Sequence, residues 1–152
     1  MFRLPFSVHV FLYRRTAAGA LEFMLFLRKP REAFGLPAFW QGITGALEAG
    51  ETFHDGAIRE VLEETGLEGI DFQFTGFVAS YPIRPAWRVH FGAGPDHVEE
   101  RAASGEVPVD AVPRLSDEHS SWGWFTAEQA LGLLTTGHNR QSFESVLGQS
   151  GR

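Results

Sequence analysis

The stretch Gly45 to Leu67, GALEAGETFHDGAIREVLEETGL, constrains the fold more than any other part of the chain. Three carboxylates, Glu60, Glu63 and Glu64, stand at spacings i, i+3 and i+4. On a helix they fall within about 100° of one another, on one face. Like charges at that spacing destabilise a helix slightly. A chain that carries them either solvates the face or holds something positive against it. Local signals favour the helix. Thr52, with Asp55 three residues on, is a capping-box-like start: the hydroxyl takes a free amide and the carboxylate sits at the positive end of the dipole. Phe53, Ala57, Val61 and Thr65, with Ile58 and Leu62 alongside, form an apolar stripe at helical spacing. Gly66 suits the left-handed residue that closes a helix. The spacing predicts a helix from Thr52 to Thr65, with its glutamate face turned outward or into a cleft. Gly56, which costs a helix about 1 kcal/mol against Ala, marks a close backbone approach.

From Glu48 to Asp71 there are eight acidic residues, and the only Lys or Arg is Arg59. Charge alone leaves a solvated surface open. The spacing goes further. Gly45, five residues, Glu51, seven residues, then Arg59-Glu60-Val61-x-Glu63-Glu64-x-Gly66-Leu67 resembles the Nudix box at every defined position. At average residue frequencies such a coincidence is negligible.

Length and composition fit that resemblance. The 152 residues suit one domain, 1–152, with a real core. Apolar content of 43% and aromatic content of 13% belong to a folded globular chain. A net charge of −6 argues against a nucleic-acid polymer or an anionic membrane as partner, since both select basic surfaces. It is compatible with a small phosphorylated substrate when divalent cations lie between the two. Without Cys there is no disulfide framework, thiolate zinc site or cysteine nucleophile. The segment MFRLPFSVHVFLYRR reads as a strand rather than a signal peptide, because His9 interrupts it and no small-residue cleavage site follows. No run reaches the roughly 18 apolar residues of a membrane span. A cytoplasmic protein, monomer or homodimer, is expected.

In order, Phe6 to Tyr13 and Leu21 to Arg28 read as a hairpin around a Thr16 to Ala20 turn. Arg28 and Lys29 end it as a basic pair, either solubilising or phosphate-binding. Lys29 to Phe39 is a Pro/Gly loop, and Trp40 to Leu47 a strand end and loop passing close to a ligand. Phe72 to Ser80 alternates as a half-buried strand. Trp87 to Phe91 reads as a short strand, Val98 to Val107 as a weaker one and Ser121 to Phe125 as an aromatic one. Helices are expected from Thr126 to Thr135 and from His138 to Leu147. The elements lack a regular βαβ period, so an α/β fold with a mixed sheet is expected. The Nudix resemblance implies an α/β/α sandwich, with the box as loop, helix and loop.

Three glutamates on one face and a backbone carbonyl at the helix approach offer an all-oxygen site for a hard cation, Mg2+ or Mn2+. The resemblance implies roles residue by residue. Glu60 and Glu64 look like principal metal ligands, and Glu63 like a further ligand or the base that activates water. Arg59 and Glu51 look like the ion pair that orients the catalytic glutamates, and Gly45 like the carbonyl ligand. The implied reaction is hydrolysis of a nucleoside diphosphate linked to another group, by water attack on phosphorus. Phe39-Trp40-Gln41-x-x-Thr44-Gly45, Glu118-His119 and Asn139-Arg140-Gln141 are similar to the bacterial dihydroneopterin triphosphate / dATP pyrophosphatase branch. That similarity adds Glu118 as a metal ligand. Arg28, Trp40 and Arg88 are candidates for substrate contact, by phosphate pairing or ring stacking, and Trp87 is a further one that suits the core better. A (deoxy)nucleoside or pterin triphosphate is the leading substrate. Diadenosine polyphosphates or nucleotide sugars are the alternative, and a nucleotide-sensing domain without turnover is the third reading.

Overall fold

The computed structural model describes residues 3–149. Met1 and Phe2, where the strand reading of the amino-terminal segment begins, lie outside the described residues, as do the last three positions of the 1–152 domain reading. The sheet is organised on β1, Phe6–Arg15. Val8, Val10 and Leu12 face one core, and Phe11 and Tyr13 the other. A strand covered on both faces reads as a continuous apolar run, and VHVFLY is one. β2, Leu21–Arg28, returns antiparallel after the turn, with Leu12 opposite Met24. β6, His97–Glu106, lies parallel along the other edge of β1, and β5, Phe72–Pro82, lies antiparallel outside it. β3, Phe39–Gln41, pairs with β2, and β4, Ile43–Ala46, pairs with the first half of β1. β7, His119–Phe125, pairs with β2. The described residues thus form one mixed seven-stranded sheet.

Helices cover both faces. α1, Phe53–Thr65, packs Ala57 and Val61 onto the core that holds Val8, Val10 and Met24. α3, Ala127–Leu133, and α4, Asn139–Leu147, bury Ala130, Phe143 and Val146 against Phe11 and Phe23 on the opposite face. This is the expected α/β/α arrangement. No helix among the described residues is long and apolar enough to cross a membrane.

Two local expectations are corrected. Trp87 to Phe91 is not a strand: a 3-10 turn, Pro85–Trp87, runs into the short helix α2, Arg88–Phe91. Pro85 fixes φ and lacks an N–H, which suits a helix start rather than a sheet. In α1, Ile58 and Leu62 are 44% and 41% exposed. They stand about 100° and 140° round from Ala57, whereas Glu64 and Glu60 stand about 20° and 60° to the other side. The buried face is centred nearer the glutamates than the apolar stripe suggests. Gly56 is where the helix approaches closely: a Cβ there would run into Leu47. The weak strand prediction held as β6, because Ala102, Ala103 and Ser104 are buried and small side chains suit that crowded position.

Candidate active site

α1 begins with a reciprocal capping box. Asp55 N–H donates to Thr52 Oγ1 and Thr52 N–H to Asp55 Oδ2, both at 3.1 Å. It ends at Gly66, φ +75°, whose N–H donates to the Leu62 carbonyl at 2.8 Å. These caps fix which residues of the helix face β4. Glycine at residue 45 of that strand leaves room for the Glu60 carboxylate, whose place a Cβ there would occupy.

Arg59 ties the surrounding acids together. Its Nε and Nη2 donate to the two oxygens of Glu51 at 2.7 and 2.9 Å. Nη1 donates to Glu60 Oε1 at 2.9 Å and Glu63 Oε2 at 3.2 Å, and Nη2 also reaches the Ala46 carbonyl at 2.9 Å. Hydrogen bonding to Arg59 holds the Glu51 carboxyl below its ordinary range, and the same bond keeps Arg59 charged above its own.

Glu60 and Glu64 are each only 8% exposed. Burial pushes Glu60 up to about 7, against the hydrogen bond from Arg59. Burial also raises Glu64, against a hydrogen bond donated by Ser116 Oγ. His119 Nδ1 lies 3.4 Å from Glu64 Oε2, and burial lowers this imidazole to about 4. Gln41 Nε2 lies 3.2 Å from His119 Nε2. In the neutral ring the amide donates there, which leaves the ring proton on Nδ1, facing Glu64. The Glu63 side chain, by contrast, is 54% exposed. Glu118 Oε2 lies 3.4 Å from Arg28 Nη1.

The donor set fits a hard divalent cation. Every candidate group is an oxygen, and two of the carboxylates are buried in positions that penalise their charge. Glu60 is turned onto Arg59, Glu64 onto Ser116 and Glu118 onto Arg28. Among the described residues no three acidic or imidazole groups already converge as a metal site.

Gly45, Arg59, Glu60, Arg28 and Glu118 line one cleft of about 1390 Å³. Glu51 and Glu63 adjoin it through Arg59, and Glu64 through Ser116, whose Oγ accepts from the N–H of the lining residue Glu118 at 3.3 Å. Two predicted contacts lie elsewhere. Trp40 packs edge-on against Phe125, ring centroids 5.2 Å apart, in the core under α3 and α4. Alternation along β3 sends its neighbours Phe39 and Gln41 to the cleft instead. Arg88 is spent on the Gly92 carbonyl at 3.3 Å and on the Pro95 carbonyl, bracing its own loop.

Besides Trp87, the cleft holds residues that sequence reasoning passed over. Arg3, Arg31 and Arg84 join Arg28 along its wall. Burial, and then the charge of Arg28, lowers Arg31 below its ordinary value. Phe34 meets Trp87 edge-on at 6.1 Å between centroids. Arg28 Nε, Arg31 Nε and Trp87 Nε1 are buried without a hydrogen-bond partner among the described residues. The basic pair Arg28-Lys29 was the visible signal; Arg3 comes from the stretch read as a strand, Arg31 and Phe34 from one read as a loop, and Arg84 from a stretch given no reading.

The NUDIX domain family matches residues 3–145. The chain is 30% identical over 115 residues to the dihydroneopterin triphosphate diphosphatase of Haemophilus influenzae, covering 73% of this chain and 72% of that protein. It is 36% identical over 113 residues to an octanoyltransferase of Myxococcus xanthus, covering 73% of this chain but spanning only 28% of that protein's length. The fold is similar to the solved Escherichia coli dihydroneopterin triphosphate pyrophosphohydrolase, with a TM-score of 0.74, 24% identity and 95% of each chain covered. With that match, and with the motif from Gly45 to Leu67 complete on the helix it calls for, the chain belongs to the NUDIX domain family.

Proposed function

We propose that the chain is a Mg2+-dependent pyrophosphohydrolase acting on a (deoxy)nucleoside triphosphate or dihydroneopterin triphosphate. The observation that carries this reading is the burial of Glu60 beside Gly45 and of Glu64 one turn on, next to a cleft lined by Arg3, Arg28, Arg31, Arg59 and Arg84. Glu60 and Glu64 would hold the cation, with Glu63, Glu118 and the Gly45 carbonyl as further oxygen donors. When bound, Mg2+ neutralises phosphate charge and makes a bound water more acidic. Arg59 keeps Glu60 and Glu63 in place through hydrogen bonds of 2.9 and 3.2 Å. Glu63, the most exposed of the three glutamates, takes the proton of the attacking water. The water oxygen bonds to the α-phosphorus, the α–β bridging P–O bond breaks, and pyrophosphate leaves, with the monophosphate as the other product. The name of the Haemophilus influenzae relative supports the triphosphate over a nucleotide sugar.

The test is a panel of triphosphates, diadenosine polyphosphates and nucleotide sugars assayed with Mg2+ and product identification. Pyrophosphate from a triphosphate is expected. Glu63→Gln and Glu64→Gln are expected to lower kcat at least about 100-fold. Unchanged turnover in both variants would remove the box from the mechanism.

A further inference from the structure

One acidic side chain in the cleft has no part in the chemistry above. Glu100, on β6, stands opposite Ser7 of β1 in the parallel register. It is 7% exposed, and both residues line the cleft. Ser7 Oγ donates to Glu100 Oε2 at 3.2 Å. The Tyr81 phenol, held protonated by burial, interacts with the same carboxylate. Gly42 N–H donates to His9 Nε2 at 2.9 Å, which places the His9 ring proton on Nδ1, 3.5 Å from Glu100 Oε1. Among the described residues no Lys or Arg is within ion-pair distance of Glu100. A carboxylate has about four acceptor positions, and among the described residues Ser7 fills one at 3.2 Å while the His9 ring stands at 3.5 Å. A buried carboxylate left with spare acceptor capacity in a ligand cleft calls for N–H donors on the ligand.

Heterocycles differ in what they offer there. Guanine and pterins share a 2-amino-4-oxopyrimidine ring, whose exocyclic amino group and adjacent ring N–H form a pair of parallel donors. One carboxylate accepts both. Adenine sets a ring acceptor beside its amino group, and a carboxylate repels that acceptor. Other donor-bearing side chains share the cleft: Arg31 and Trp87 line it, and their Nε and Nε1 are buried without partners among the described residues. We propose that Glu100 is the base-reading residue and that it selects triphosphates bearing a 2-amino-4-oxopyrimidine edge. This rests on the pyrophosphohydrolase reading and names its substrate class.

The experiment compares kcat/KM for GTP, ITP, ATP and dihydroneopterin triphosphate in the wild type and in Glu100→Gln. ITP lacks only the 2-amino group of GTP, so their ratio isolates the donor pair. A ratio taken within one sample is independent of the folded fraction, which protects the test from poor folding of the variant. The wild type is expected to favour GTP over ITP, and over ATP, at least about tenfold. Glu100→Gln is expected to bring the GTP/ITP ratio close to one. Dihydroneopterin triphosphate above GTP makes the ligand a pterin, and the reverse makes it a guanine nucleotide; both support Glu100 as the reader. Wild-type ratios within about twofold overturn the proposal, as does a parallel loss on all four substrates in Glu100→Gln. If no triphosphate is cleaved, the pyrophosphohydrolase reading fails. The GTP/ITP ratio is then read from calorimetric affinities, where parity overturns the role of Glu100.

Discussion

Arg59 grips Glu51 through two parallel hydrogen bonds, Nε to Oε2 at 2.7 Å and Nη2 to Oε1 at 2.9 Å. The fork leaves Nη1 free to hold Glu60 at 2.9 Å. Removing the guanidinium strands a buried carboxylate, and breaking such a pair costs about 3 kcal/mol. Arg59→Ala is expected to lose about 3 kcal/mol of stability in urea denaturation. Glu51→Gln keeps one hydrogen bond and is expected to lose about 1 kcal/mol. A loss below about 0.5 kcal/mol in Arg59→Ala would mean that the ion-pair network is ornamental.

Gly45 and the Glu60 carboxylate occupy adjoining space, with no room between them for a methyl group. In Gly45→Ala the Glu60 side chain has to leave its place beside Arg59 or the strand has to shift. Overpacking of this kind costs about 1–3 kcal/mol. Calorimetric titration with Mn2+ is expected to show at least about tenfold weaker binding in Gly45→Ala. Wild-type affinity in that variant would show that Glu60 holds no cation from this position.

The catalytic helix was legible from the sequence because its information is local. The Glu60, Glu63 and Glu64 spacing, the Thr52 cap and the Gly66 stop all lie within one turn of what they control. The central strands were legible for a similar reason, since a strand covered on both faces reads as one apolar run. The substrate wall was not. Ser7 and Glu100 meet only through the parallel register of β1 and β6, 93 residues apart in the chain. Trp40 was misread because a three-residue strand carries too little alternation to show which side faces the cleft. Arg88 sat in a segment whose Pro85 start turns a strand-like composition into a helical turn.

Ser116 Oγ donates to Glu64 and so opposes the effect of burial on that carboxyl. Ser116→Ala removes the donor, and protons then compete better for Glu64. Mn2+ affinity measured against pH is expected to lose its strength at a higher pH in Ser116→Ala than in the wild type. Superimposed profiles would detach Glu64 from cation binding.

Glu60 and His119 make opposite contributions to the pH dependence of stability in metal-free protein. Burial raises Glu60 from 4.5 to about 7, so the folded state favours its protonated form. That contribution is complete below pH 4.5 and is lost as pH rises through about 7. Burial lowers His119 from 6.5 to about 4, so the folded state favours the neutral ring. Its contribution is complete above pH 6.5 and is lost as pH falls through about 4. Each shift is worth on the order of 3 kcal/mol. Between about pH 4.5 and 6.5 the slopes from Glu60 and His119 oppose each other, and the decline from Glu60 continues above that range. Urea denaturation in EDTA is expected to give a nearly flat stability profile from pH 5 to 6.5 and a fall from there to pH 7.5. Glu60→Gln is expected to abolish most of the fall and to leave a rise with pH below 6.5 from His119. Added Mg2+ is expected to raise stability most at the alkaline end, where Glu60 is ionised. A wild-type profile that climbs from pH 6.5 to 7.5 would contradict the raised Glu60.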